Sequence, residues 1–184
     1  MKKLFKKIML VVLSIALTTL LFQRQLFKIY YPTPYGEIVK TAAAENQIPV
    51  NLLYAVIHTE SHFNPKAESK LGAKGLMQIT EDAFDWVKMR SGDEHSSYND
   101  IYAPSVNINY GAKLLKLLLD EFGSYENAIC AYHAGWGNVT NWLANENYSK
   151  DGANIAKIPF KDTAHYLHKV QKAWERYDKL YNEQ

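Results

Sequence analysis

Residues 49–80 read PVNLLYAVIHTESHFNPKAESKLGAKGLMQIT, and this stretch decides the fold. Its first part, residues 49–61, predicts a helix, because apolar side chains recur at helical spacing. Glu60 lies four residues after Val56 and three after Ile57, so it shares their apolar stripe. The pattern therefore predicts a carboxylate on the side of the helix that faces the core.

Burial of this carboxylate has a chemical consequence. Desolvation disfavours the charged form, so it raises the pKa of a carboxyl group and keeps it protonated near neutral pH. A protonated Glu60 can then donate its proton to a leaving oxygen. We therefore predict that Glu60 is a general acid.

A loop follows the helix and ends in an amide side chain. Asn64-Pro65 discourages further helix, because the residue before proline avoids the α region. Gly72 and Gly75 indicate a turn with close backbone approach, and Gln78 follows them. An acid, a loop and a neutral amide suit a cleft for a hydroxyl-rich substrate. On this spacing alone a second interpretation stays open, in which Glu60 ends a surface helix and the glycines only turn the chain.

Four motifs in a fixed order extend the pattern. ESHFNPKAES is followed by GAKGLMQIT, and Pro104-x-x-Asn107-Ile108-x-x-Gly111 precedes a leucine-rich helix. AYHAGWGNV comes next, over residues 131–139, and then Asp162-Thr163-x-x-Tyr166-x-x-x-Val170. Together they resemble the lytic transglycosylase domain of the soluble-lytic-transglycosylase type, which is related to goose-type lysozymes. The resemblance covers roughly residues 45–178.

The resemblance implies a function and a set of site residues. The family cleaves the β-1,4 bond between N-acetylmuramic acid and N-acetylglucosamine in peptidoglycan and leaves 1,6-anhydro ends, with one glutamate acting first as acid and then as base. Glu60 matches that glutamate, and we expect neither a metal nor another cofactor. We expect the glycan strand to be bound by the side chains that match family positions: Ser69, Gln78, Tyr132, His133 and Tyr166. The hydroxyl of Tyr132 is further expected to orient the Glu60 carboxyl.

Three positions depart from the family pattern. His133 stands where asparagine is usual, but a neutral imidazole also offers one donor and one acceptor. Trp136 stands where proline is usual, so either saccharide stacking or packing in the core is open for its ring. Asp162 stands where glutamate is usual, and in a first helical turn it can act simply as a cap.

Two histidines beside Glu60 invite a zinc reading, which the spacing argues against. A metalloprotease helix carries H-E-x-x-H, with the glutamate directly after the first histidine. Here Glu60 lies two residues from both His58 and His62 and points nearly opposite to both on a helix. We therefore expect no zinc site.

The remaining acids leave two alternatives to transglycosylation. A two-carboxylate glycosidase needs a second acid facing the first, and none of Glu68, Glu81, Asp82 and Asp85 lies in a motif that predicts this role. One carboxylate suffices when the muramic acid C6 hydroxyl is the nucleophile. A lysozyme-type hydrolase that uses water is the nearest alternative, and a non-catalytic glycan-binding module is the other.

Charge is unevenly distributed along the 184 residues. The net charge is +2, but residues 1–40 carry seven Lys or Arg and a single Glu, so the rest of the chain is mildly acidic. A nucleic-acid-binding domain needs a basic face, so we do not expect nucleic acid as a partner. Cys130 is the sole cysteine, which excludes an intramolecular disulfide, and its apolar neighbours predict an inert core residue.

The first 28 residues are typical of an export signal. Four lysines precede an uncharged run of 15 residues, Ile8–Phe22, and no small residues follow it as a cleavage site. We predict an uncleaved signal-anchor, residues 1–28, that crosses the cell membrane once and leaves the following domain on the extracytoplasmic face. A cleaved signal peptide and a secreted protein are the alternative.

Periodicity predicts a mainly α, lysozyme-like single domain behind this anchor helix. A spacer and leading helix occupy residues 29–44, with an extended, aromatic segment at 24–36, and the catalytic domain occupies residues 45–184. Beyond the helix at 49–61, helices are expected at 37–46, 81–89, 105–122, 125–133, 138–144 and 162–181, with Thr80 and Ser124 as N-caps and Gly123 as a C-cap.

Overall fold

The structure is a computed structural model in which residues 2–181 are described. The chain is mainly α-helical, and the described residues form only isolated β-bridges besides helices. The helices are α1 (Lys2–Tyr30), α2 (Gly36–Asn46), α3 (Val50–Ser61), α4 (Glu81–Ser91), α5 (Pro104–Phe122), α6 (Tyr125–Ala134), α7 (Trp136–Leu143) and α8 (Lys161–Tyr181), with a short 3₁₀ turn at Tyr98–Asp100. This agrees with the predicted mainly α, lysozyme-like class.

Helix α3 is the centre of the domain. Every residue from Asn51 to His58 is buried, so the helix is buried on all sides rather than along one stripe. It packs against α8 and α2, while α5 contacts α2, α4 and α6, and α6 also contacts α7 and α8. Helix α3 begins at Val50, one residue later than predicted, and Pro49 is its N-cap.

The predicted caps are confirmed. The Thr80 hydroxyl accepts a hydrogen bond from the backbone N–H of Ala83 at 3.2 Å, and the Ser124 hydroxyl accepts one from Asn127 at 3.2 Å. Gly123 ends α5 with a positive φ of 70°. Cys130 is buried, and burial raises the pKa of its thiol to about 12, so it is an inert core residue as predicted.

The helix α1 continues further than the sequence predicted. Residues 24–30 are helical and not an extended spacer, because no Gly or Pro interrupts them and their side chains contact α8. The helix ends at Tyr30, because Tyr31 precedes Pro32 and the residue before a proline avoids the α region. Its length and composition are sufficient to cross a membrane, and it buries no side chain in the rest of the structure.

The predicted division between residues 44 and 45 stays a prediction. It falls inside α2, whose Val39, Ala42 and Ala43 are buried against α3 and α5. Several helix ends differ from expectation by one or two residues: for example, α7 already begins at Trp136 and α4 continues to Ser91. Gly135, with φ of 91°, separates α6 from α7 with no extra residue between them.

Candidate active site

Glu60 lies in the last turn of α3, directly after the run of buried residues that ends at His58. The side chain is half-buried, and desolvation raises the pKa of its carboxyl group to about 7. The hydroxyl of Tyr166 donates to Glu60 Oε1 at 2.5 Å, which lowers the pKa and opposes part of the burial effect. The group is therefore balanced between its protonated and ionised forms near neutral pH, as a residue that must first donate and later accept a proton requires.

The partner of Glu60 differs from the one predicted. Tyr132 was expected to orient the carboxyl, but its hydroxyl donates to the carbonyl oxygen of Met77 at 2.8 Å. Tyr166, which was predicted as a substrate-binding residue, makes that contact instead. Both phenols have pKa values well above the usual range, first through burial and then through the nearby Glu60 carboxylate, so both remain hydroxyl donors.

His133 packs against Tyr166, the tyrosine that contacts Glu60. Its ring stacks on Tyr166 with centroids 4.5 Å apart and an interplanar angle of 30°. Its Nδ1 lies 3.1 Å from the hydroxyl of Thr163, one turn before Tyr166 on α8. Burial lowers the pKa of the imidazole, although Asp162 raises it in part, so the ring is mainly neutral at pH 7.

The loop after α3 is clamped from three sides. Ser61 donates its hydroxyl hydrogen to the Leu76 carbonyl oxygen at 2.7 Å, and Tyr132 holds the next carbonyl. The buried Asn107 accepts from the Met77 N–H at 2.7 Å and donates to the carbonyl oxygens of Lys74 and Ile101, both at 2.9 Å. Side chains from α3, α5 and α6 therefore hold the backbone of residues 74–77 in place.

Gly75 is required by this clamp. It has a φ of 78°, and a Cβ at this position would lie 2.2 Å from the Asn107 amide nitrogen. Gly111 is similar, because its Cβ would meet the Met77 sulfur at 2.3 Å. The role of Asn107 was missed from the sequence, although the spacing Asn107 to Gly111 places both on one face of α5 and indicated a close contact there.

Two predicted substrate residues bond within the loop itself. Gln78 donates from Nε2 to the carbonyl oxygens of Gly75 at 2.9 Å and Ala67 at 3.2 Å, and it adopts a left-handed φ of 50°. The Ser69 hydroxyl accepts from the N–H groups of Ala73 and Leu71 at 3.0 and 3.2 Å. Both side chains therefore brace the loop, and their contact with substrate stays a prediction.

The departures from the family pattern are located as follows. Trp136 is 45% exposed at the start of α7, so the core-packing interpretation of its ring is wrong. Asp162 is exposed in the first turn of α8. His58 contacts the end of α1, with Nε2 3.1 Å from the Tyr30 carbonyl oxygen, and its ring lies 4.7 Å from that of His62. Within residues 2–181, no group of three or more His, Cys, Asp or Glu side chains is arranged to hold a metal ion.

The chain resembles known proteins in sequence and in fold. The family described as "Transglycosylase SLT domain" matches residues 37–155, which is more than half of the chain. The chain belongs to this SLT domain family. The resemblance stated from the motifs is therefore confirmed.

Relatives of this SLT domain include the soluble lytic murein transglycosylase of Escherichia coli K12, which is 37% identical over 145 residues. That match covers 76% of this chain and 22% of the relative, so the chain spans about a fifth of its length. The membrane-bound lytic murein transglycosylase C of Yersinia pestis is 29% identical over 168 residues, covering 78% of this chain and 46% of that protein.

Solved structures agree with the fold. An inactive mutant of the lytic transglycosylase Slt from Pseudomonas aeruginosa superposes with a TM-score of 0.74 at 26% identity, over 84% of this chain and 25% of that one. The 70-kDa soluble lytic transglycosylase of E. coli gives a TM-score of 0.72 at 29% identity, over 83% of this chain and 25% of that one. The same enzyme has also been solved as a complex with bulgecin A, to which this chain is 30% identical.

Proposed function

We propose that the chain is a peptidoglycan lytic transglycosylase that cleaves the β-1,4 bond between N-acetylmuramic acid and N-acetylglucosamine. The observation that supports this most is Glu60, half-buried, with its pKa raised to about 7 and one tyrosine hydroxyl on its carboxyl. Membership of the SLT domain family supports the substrate and the anhydro product.

The proposed reaction uses Glu60 twice. Protonated Glu60 donates its proton to the glycosidic oxygen as the bond from muramic acid C1 to that oxygen breaks. The carboxylate then accepts the proton of the C6 hydroxyl as O6 bonds to C1, so the enzyme regains its starting state. Tyr166 stabilises the carboxylate between the two steps by donating to it. In this scheme Ser69, Gln78, Tyr132 and His133 shape or contact the sugar sites.

A lysozyme-type hydrolase would use a second carboxylate to position water, and the flanking loop offers little for this. Glu68 is the acid nearest to Glu60 along the loop, and it accepts the hydroxyl hydrogen of Tyr102 at 2.8 Å. A non-catalytic glycan-binding module would have no use for a carboxyl group held near its titration point, which costs stability at neutral pH.

The test of this proposal is the effect of Glu60→Gln on the release of fragments from purified peptidoglycan. The amide keeps the shape of the side chain but cannot donate or accept the proton. We expect turnover to fall by more than roughly 10²-fold, because general acid–base catalysis alone contributes about that much or more. Retention of more than roughly a tenth of the activity by a folded Glu60→Gln protein contradicts the proposal.

For location, we propose that α1 anchors the domain in the cell membrane with the cleft on the extracytoplasmic face. The support is the apolar helix Lys2–Tyr30, with its four lysines at the N-terminal side. Cell fractionation combined with N-terminal sequencing tests the anchor. A mature protein that begins after Phe22 and is free in the medium would favour the secreted alternative.

A further inference from the structure

The segment that joins α1 to the catalytic domain is held along its backbone. Four consecutive carbonyl oxygens, at residues 30–33, lie within hydrogen-bond distance of ring side chains from α3 or α8. The pairs are Tyr30 with His58 Nε2 at 3.1 Å, Tyr31 with the Tyr181 hydroxyl at 2.8 Å, Pro32 with the Tyr177 hydroxyl at 2.9 Å and Thr33 with the Tyr54 hydroxyl at 3.4 Å. We call residues 30–33 the strap. Because carbonyl oxygens only accept, His58 carries a proton on Nε2.

The last turns of α8 lie beside α1 just before the strap. The guanidinium group of Arg176 stacks 3.9 Å from the Phe27 ring centroid, and Lys28 lies 5.5 Å from the ring of Tyr181. Arg24 donates to the carbonyl oxygen at residue 180 at 3.4 Å. The end of α1 and the end of α8 therefore form one unit, and the depth of α1 in a bilayer fixes the height of the domain above it.

That height follows from the length of the span. A hydrocarbon core of about 30 Å needs about 20 helical residues. Counted from Ile8, where the 15-residue uncharged run begins, such a span ends near Phe27 and contains Arg24, whose side chain donates to the end of α8. Tyr30 and Tyr31 then fall in the headgroup layer, where tyrosine is enriched in membrane proteins.

A pocket of about 270 Å³ lies at this level, between the strap, α3 and α8. Lys169 and Lys172 line one side, three residues apart on α8 and so on the same face. His58 and His62 line the other side, and no carboxylate lines the pocket. Within residues 2–181 neither lysine forms an ion pair. Two cationic donors in a pocket whose lining contains no carboxylate are suited to a phosphate oxygen.

We propose that this pocket binds the phosphate group of an anionic membrane lipid. The inference rests on the proposed anchoring by α1, since it is the anchor that brings the pocket to headgroup level. The two ammonium groups hold the phosphate, the histidines close the inner wall and the strap tyrosines face the glycerol region. The bound lipid gives the domain a second contact with the bilayer, and the orientation of the cleft is then fixed.

The experiment uses the full chain with isotope-labelled histidine in nanodiscs of phosphatidylcholine, with or without phosphatidylglycerol. The imidazole NMR signals of His58 and His62 are the readout. We expect both to shift when phosphatidylglycerol is present. In detergent, short-chain phosphatidylglycerol titrates the same signals, and Lys169→Gln/Lys172→Gln weakens this binding at least about tenfold, as expected for loss of two charged partners.

The matched control is Lys150→Gln/Lys157→Gln, which removes the same charge from exposed positions in the loop before α8. We expect it to bind like the unmodified chain. An equal loss in this control, or no shift of either histidine with the lipid, overturns the proposal. Inorganic phosphate or glycerol phosphate that binds as tightly as the short-chain lipid overturns the assignment to a lipid. Product analysis on soluble glycan fragments needs no membrane, so failure of this site and failure of the proposed function are told apart.

Discussion

The hydroxyl of Tyr166 lies 2.5 Å from Glu60 Oε1, which ties the end of α3 to α8 across 106 residues of sequence. The bond opposes the desolvation that raises the pKa of the carboxyl group. Burial of Glu60 on α3 and the hydroxyl of Tyr166 on α8 therefore act in opposite directions on the pKa of this carboxyl group.

The variant Tyr166→Phe removes this donor and leaves the ring that stacks on His133. Without the donor the ionised form is less stable, so the pKa of Glu60 rises and the alkaline limb of the pH–rate profile moves to higher pH. We expect turnover to fall by roughly 10- to 100-fold, in line with one hydrogen bond to a charged group. Tyr125→Phe is the control, because that tyrosine packs against Trp174 away from Glu60. An unmoved or lowered limb in Tyr166→Phe contradicts this role.

Glu60 also links stability to pH. Its pKa is raised in the folded protein from 4.5 to about 7, because burial favours the protonated form. The protein is therefore more stable at low pH, and this part of the free energy of unfolding is lost as the pH rises through 7. Replacement by Gln removes that loss. We expect Glu60→Gln to be more stable than the unmodified protein at pH 8.5, by roughly 1–3 kcal/mol, and close to it at pH 4. Thermal melts at the two pH values measure the difference, and equal differences at both would count against a desolvated carboxyl.

His133 predicts a second pH effect, on the acid side. Protonation places a positive charge against Tyr166, with Asp162 as the neighbouring acid, and stabilises the ionised form of Glu60. Because burial lowers the pKa of His133, this occurs below its usual value of 6.5. We expect His133→Asn to retain activity at neutral pH and to lose the decline in activity on the acid side of pH 6.5. Profiles of kcat/KM for both proteins decide this, and identical acid limbs would exclude His133 as the group responsible.

A variant of Gln78 distinguishes a residue that braces the loop from one that only contacts the substrate. Its amide nitrogen bonds two loop carbonyl oxygens, so Gln78→Ala leaves both without this partner. We expect the melting temperature to fall by about 3–6 °C, as for a loss of 1–2 kcal/mol in a domain of this size. Turnover per folded molecule should fall less than in Glu60→Gln. Unchanged melting with a large rise in KM would indicate that the side chain serves only the sugar.

Local patterns in the sequence were sufficient for the helices and for Glu60. Helical spacing located α3, and the caps Thr80 and Ser124 marked the starts of α4 and α6. The identity of the tyrosine on Glu60 was not accessible in this way. It depends on how α6 and α8 pack against α3, and a one-dimensional pattern does not contain that packing. Tyr132 and Tyr166 both match family motifs, and only their positions in space assign one to the carboxyl and the other to Met77.

The contacts of the strap could not be predicted from the sequence either. Prolines and aromatic residues after α1 indicated an extended spacer, but the carbonyl partners of residues 30–33 come from α3 and α8. These contacts are long-range, so the sequence predicted only an extended spacer where the structure has a fixed joint. For the same reason Asn107 appeared as one residue of a motif, although it holds the backbone of the loop after α3.

The most direct test of the central claim is digestion of purified peptidoglycan in water enriched in oxygen-18, followed by mass spectrometry of the fragments. If the C6 hydroxyl is the nucleophile, as one carboxyl group at Glu60 implies, no oxygen from water enters the sugar and the muramic acid ends are anhydro forms without label. Labelled reducing ends, with one heavy oxygen on each new muramic acid terminus, would instead identify water as the nucleophile and contradict the account.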